Sequence, residues 1–209
     1  MYPIVHNRLQ SVVKPCNNHN LDWMRALDKP TSYVARAGMI AAAYASLTVI
    51  SLLFLQGLAW GPIQLRVSEA LTVLAVLTPA AIPGLTIGCL LANLLGIALT
   101  GSGVMGLFDV VFGSLATLVA ALLTYRLAKM APFKKLIIND IVALVPPIIV
   151  NAIIVGTYLT FLLTEGAIRV TMIIVNVVYV GLSEMAVVYF IGLPLLVVLR
   201  KAGLRSTKE

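Results

Sequence analysis

Six long apolar runs divide the chain, at about 34–56, 69–82, 84–99, 106–128, 136–163 and 168–199, and within each the hydrophobic residues are continuous, not alternating. A backbone in lipid has to satisfy its own hydrogen bonds, and a continuous run does so as an α-helix, whereas the strands of a membrane barrel alternate. The pattern therefore predicts an all-α integral membrane protein of six transmembrane helices. The second and third runs are short and border on Pro83 and Gly84. They are read as a broken pair meeting at a tight connection there, with Pro79 kinking the first of the two. The organisation that follows is an N-terminal segment 1–33, a six-helix domain 34–200 and a tail 201–209.

Composition agrees with that reading: 60% of residues are hydrophobic and 11% charged, with a mean hydropathy of +1.01, against roughly 25% charged in soluble domains. The net charge of +7 does not point to nucleic acid, because the basic residues stand at the ends of apolar segments and not on one polar face. Their distribution reports topology instead. With the N-terminus in the cytoplasm, thirteen of the 15 Lys and Arg residues lie inside, leaving only Arg66 and Arg169 outside, as the positive-inside rule requires. Both termini of this multi-pass cell-membrane protein are then cytoplasmic. Residues 1–36 lack the apolar core of a signal peptide. Within them LDWMRAL places Leu21, Met24 and Leu27 on one side of a short amphipathic helix suited to the lipid surface, the alternative being a mobile tail.

Polar groups inside the spans are few, and each has two readings. Glu69 opens the second span, Asp109 the fourth, and Glu184 lies near the middle of the sixth, while Asn93, Asn151 and Asn176 occur in the third, fifth and sixth. A seven-residue spacing returns to one helix face. It aligns Asn151 with Tyr158, and Arg169, Asn176 and Ser183 with one another. These groups gather in the outer halves of the spans, which describes a pocket open to the outside and not a channel. Tyr158, Tyr179 and Phe108 supply flat walls for a ring-shaped ligand. The competing reading makes the asparagines interhelical hydrogen-bonders, the tyrosines packing residues, and Arg66 with Glu69 a rim salt bridge. Asp109 and Glu184, with no basic residue at similar depth, resist it best.

No GxxxxGK[ST] loop, HExxH, CxxC or GxSxG motif occurs, and His6 and His19 both sit in the N-terminal segment. The sequence thus offers no catalytic set, no metal site and no cofactor site. In the first span Ala37, Ala41 and Ala45 stand four apart with Gly38, Ala42 and Ser46 alongside. Such a strip lets another helix approach closely, either within the chain or on a partner.

Two segments carry a resemblance. RVSEALTVLAVLTPAAIPGLTIGCLLANLL and GLFDVVFGSLATLVAALLTYRLAK closely resemble the queuosine-precursor transporter family, QueT, over about residues 36–200. That resemblance implies a six-helix S component of an energy-coupling factor (ECF) transporter. Such a component captures a 7-deazaguanine from outside and works with a transmembrane coupling subunit and two ABC ATPases, which accounts for the missing nucleotide-binding loop. The family's small-residue docking motif for the coupling subunit matches Ala37, Ala41 and Ala45. A deazaguanine offers N1–H and an exocyclic amine to a carboxylate, from Glu69, Asp109 or Glu184, and a carbonyl to Asn93, Asn151, Asn176 or Arg66. An S component for another vitamin or nucleobase, a proton-coupled carrier working through Asp109 and Glu184, and a purely structural membrane subunit are the alternatives.

Overall fold

The computed structural model describes residues 19–54, 66–101, 103–130, 136–164 and 169–203, all of its regular elements being helical. The chain falls into two compact units, Met1–Ala35 and Arg36–Glu209. Helix α1, His19–Phe54, begins in the first of them. The side chains on which the amphipathic reading of LDWMRAL rests, and tail residues 204–209, lie outside the described residues.

The second unit is a helical bundle. After α1 come α2 (Val67–Leu77), α3 (Ala81–Thr100), α4 in the three consecutive pieces Gly103–Phe108, Asp109–Gly113 and Ser114–Met130, α5 as Leu136–Ala143 and Val145–Leu163, and α6 as Val170–Ala186, Val187–Gly192 and Leu193–Lys201. Five of these are long and apolar enough to cross a membrane. Helix α2, the expected second span, is not. Its seven residues of 3₁₀-helix and four of α-helix rise roughly 20 Å, against about 30 Å of hydrocarbon. It needs no lipid-matching length, because Ser68, Glu69, Ala70, Thr72, Val73, Ala75, Val76 and Leu77 are all buried inside the bundle.

The break between α2 and α3 also falls earlier than Pro83–Gly84. Thr78 is extended, with φ −144° and ψ 138°, as a residue before proline prefers, and its hydroxyl accepts the Ala80 N–H at 3.3 Å. Pro79 therefore ends α2 instead of kinking it. Pro83 sits in the first turn of α3, where its missing N–H has no partner to lose. The same logic divides α5 at Leu144 before Pro146 and Pro147, and a wide π-turn, Val187–Gly192, precedes Pro194 in α6.

Close helix approaches set the positions of the polar side chains. A Cβ on Gly88 would lie 2.8 Å from Tyr44 Cβ and 2.9 Å from the Ala41 carbonyl oxygen, so α1 and α3 are in backbone contact there. On Gly156 it would lie 2.6 Å from Val177 Cα, which brings α5 and α6 equally close. Tyr44, Ala75, Leu85, Cys89, Ala92 and Ala121 form the core between α1, α2, α3 and α4.

Candidate functional site

Arg66 stands at the head of α2 in an extended conformation. Its guanidinium Nη2 donates to Asp109 Oδ2 at 2.9 Å. Asp109 begins the π-turn of α4, and its other carboxylate oxygen accepts the Tyr158 hydroxyl from α5. Asn93 of α3 donates to the Asp109 carbonyl oxygen at 2.7 Å. One buried acid thus joins α2, α3, α4 and α5. Beside it the ring of Tyr158 packs against Phe108 and Phe112, with centroids 6.3 and 6.0 Å away.

One turn into α2, Glu69 is 3% exposed. Tyr44 of α1 donates its hydroxyl to Glu69 Oε1, while Oε2 is buried without a hydrogen-bond partner. Across from it Glu184 of α6, 5% exposed, accepts Asn151 Nδ2 of α5 at 3.0 Å. Glu69, Asn151 and Glu184 share one cavity with Arg66, Gly113, Val155 and Val180. Its accessible volume is about 20 Å³, room for about one water molecule and below the range typical of small-molecule sites. Burying carboxyls is costly unless donors meet them. Arg66 lines the same cavity as both glutamates, and its hydrogen bond goes to Asp109.

The candidates read from sequence separate into three groups. Arg66, Glu69, Asn151 and Glu184 line the cavity itself. Asp109, Asn93 and Tyr158 stand behind Arg66 and hold it in place. Asp109 is therefore not without a basic partner, contrary to the expectation from depth alone, and Arg66 pairs with it and not with Glu69. Asn176 and Tyr179 lie elsewhere: Asn176 donates to Thr160 Oγ1 at 2.9 Å and borders a shallow depression with Thr164, Thr171, Met172 and Val175, and Tyr179 is 44% exposed.

Tyr44, Val155 and Val180 were not singled out from sequence, whereas Gly113 stands at helical spacing from Asp109 and Thr117 on one side of the fourth span and lines the cavity. A signal for Tyr44 existed, because Ala41, Tyr44, Thr48 and Ser51 recur at helical spacing and form the buried face of α1. On the same helix Ala41 is buried under Gly88, the Ala37 carbonyl lies 2.8 Å from where a Gly84 Cβ would be, and Ala45 packs on the core. Gly38, Ala42 and Ser46 are exposed beside them.

Among known proteins, the family model described as QueT transporter matches residues 34–201. No curated protein and no solved structure matches the chain.

Proposed function

We propose that this chain, which belongs to the QueT transporter family, is the substrate-binding S component of an ECF-type importer and receives a 7-deazaguanine queuosine precursor in the cavity between α2, α4, α5 and α6. The observation that carries the reading is the pair of buried glutamates, Glu69 and Glu184, facing one small cavity with Asn151 beside them. A deazaguanine edge presents two adjacent N–H donors next to a carbonyl. Glu184 accepts the donors and Asn151 donates to the carbonyl, a charge-assisted set on the order of 1.5–3 kcal/mol per hydrogen bond. Val155 and Val180 line the same space and give the ring apolar contact.

Thirteen of the 15 basic residues on one side support an orientation with the cavity open to the outside and both termini in the cytoplasm. A chain without a nucleotide-binding loop depends on partners for energy: a transmembrane coupling subunit and two ABC ATPases. Ala37, Ala41 and Ala45 pack inside the chain, on α3 and the core, so the proposed contact with the coupling subunit is the adjoining exposed strip of α1, Gly38, Ala42 and Ser46.

Binding titrations of 7-deazaguanines to the purified chain in nanodiscs test the ligand. Glu69→Gln, Asp109→Asn and Glu184→Gln are each expected to weaken binding, and wild-type affinity in all three would refute the carboxylate site. Reconstituted vesicles test the energy source. Uptake is expected only with the coupling subunit, the ATPases and ATP, whereas uptake by the isolated chain under a pH gradient alone would make it a proton-coupled carrier.

A further inference from the structure

We infer that Tyr44 of α1 is a positioning residue for ligand binding: it holds the Glu69 carboxylate with one oxygen left to the cavity, and so gives α1 a hold on a site that it does not line. The inference rests on the function proposed above and adds to it a residue from outside the cavity wall. The lining residues all belong to α2, α4, α5 and α6. Tyr44 stands behind them, 1% exposed. It donates its hydroxyl to Glu69 Oε1, while Oε2 is buried with no donor of its own and is the oxygen left for a ligand N–H.

A glutamate side chain turns about several torsions, each with its own staggered positions. What fixes this one is a donor that is itself held. The Tyr44 ring packs in the core with Leu85, Cys89 and Ala92, and a Cβ on Gly88 would lie 2.8 Å from Tyr44 Cβ, so α3 closes on it directly. Without the hydroxyl, Glu69 has another partner at hand. Its N–H closes a turn on the Arg66 carbonyl oxygen at 3.0 Å, and both side chains line the cavity. Charge draws a freed carboxylate to that guanidinium, which takes the acceptor away from the ligand. This role is separable from the packing of α1 on α2. One turn along α1, Thr48 donates to the Tyr44 carbonyl oxygen at 2.9 Å, and its Oγ1 lies 2.7 Å from Ser68 Oγ, a second hydrogen bond between the two helices. Neither Thr48 nor Ser68 lines the cavity.

The test titrates the full-length chain in nanodiscs with two probes, 7-cyano-7-deazaguanine and 7-aminomethyl-7-deazaguanine, and follows whichever binds the wild type more tightly. Tyr44→Phe keeps the ring, removes the hydroxyl, and is expected to weaken binding at least about fivefold. Thr48→Val removes the other hydrogen bond between α1 and α2 and is expected to stay within about twofold of wild type. In a Glu69→Ala background, with no carboxylate to position, adding Tyr44→Phe is expected to change the remaining affinity by less than about twofold, because residues that act as one unit are not additive. Wild-type affinity in Tyr44→Phe, an equal loss in Thr48→Val, or an undiminished loss in the Glu69→Ala background overturns the positioning role while the deazaguanine reading stands. Absence of binding of both probes to the wild-type chain overturns that reading and this inference with it. Where a variant does not fold, the structure of the wild-type chain with the probe bound decides: the Tyr44 hydroxyl on one Glu69 oxygen and the probe on the other is the expected arrangement, and a Glu69 turned away from Tyr44 overturns the inference.

Discussion

Arg66 and Asp109, 43 positions apart, meet in a 2.9 Å ion pair that ties the head of α2 to the wide turn of α4. The pair has two consequences for the cavity. It directs the hydrogen bond of the Arg66 guanidinium to Asp109 and not to Glu69 or Glu184, and it presents Arg66 as a fixed wall braced by Tyr158 and Asn93 through Asp109.

Removing Asp109 leaves Arg66 without its counter-charge and Tyr158 and Asn93 with a disturbed partner. Loss of one member of a buried pair costs about 3–5 kcal/mol, and the Arg66 side chain, 18% exposed, recovers part of this from water. Asp109→Ala is expected to lose on the order of 2–3 kcal/mol, read as a fall in the melting temperature of the detergent-purified chain. The double variant Arg66→Gln/Asp109→Asn should melt above Asp109→Ala. A single variant melting like wild type contradicts the bracing role.

Two glycines of the α1–α3 region make opposite predictions. Gly88→Ala forces a Cβ to within 2.8 Å of Tyr44 Cβ and 2.9 Å of a backbone oxygen, so the helices must separate, at about 1–3 kcal/mol. Gly38 has nothing within 4 Å of a new Cβ, and alanine there gains up to about 1 kcal/mol of helix propensity. Thermal melts of the isolated chain should therefore fall for the first and hold or rise for the second. Equal shifts would mean that α1 and α3 are not in backbone contact at Gly88.

How much of this was legible beforehand depended on the kind of signal. Polar residues are rare in the apolar runs, so Glu69, Asn151 and Glu184 stood out, and three of the four helical faces that meet at the cavity followed from them. Pairing did not follow. Nothing local to Arg66 indicates whether Glu69, three residues on, or Asp109 in another helix receives it, because that choice is made by α2 turning as a 3₁₀-helix and by the π-turn at Asp109–Gly113. The π-turn at Val187–Gly192 has a proline nearby to announce it, whereas the one at Asp109 has none. The α2–α3 break was misplaced for a related reason: Pro79 and Pro83 look alike in sequence, and only the helix register shows which one falls in a first turn, where no backbone N–H is needed.

Gly113 lines the cavity, and a Cβ there would sit 3.3 Å from Asn93 Nδ2 and 3.8 Å from an Arg66 nitrogen. A larger side chain must project into the space proposed for the ligand. Gly113→Leu is expected to reduce 7-deazaguanine affinity more than tenfold while the ligand-free melting temperature changes little, because better helix propensity offsets local crowding. Retained affinity in a folded Gly113→Leu chain would move the ligand away from this cavity.

The opposite end of the bundle offers a control that separates stability from binding. Arg200 near the end of α6 forks onto Asp140 of α5, with Nη2 donating to Oδ1 at 2.8 Å and Nη1 to the other oxygen. The carboxylate is 5% exposed, so it depends on this partner for its neutralisation. Lysine keeps the charge but not the planar two-point fit. Arg200→Lys is expected to cost about 1 kcal/mol, one of the two charge-assisted hydrogen bonds being lost, and Arg200→Ala about 3 kcal/mol. Since neither residue lines the cavity, ligand affinity of both folded variants should stay within about twofold of wild type, as separated sites behave independently. Melting curves and titrations on the same preparations check both halves. A Lys variant as stable as wild type removes the case for the fork, and a large affinity loss in a folded Ala variant shows that the two ends of the bundle are coupled.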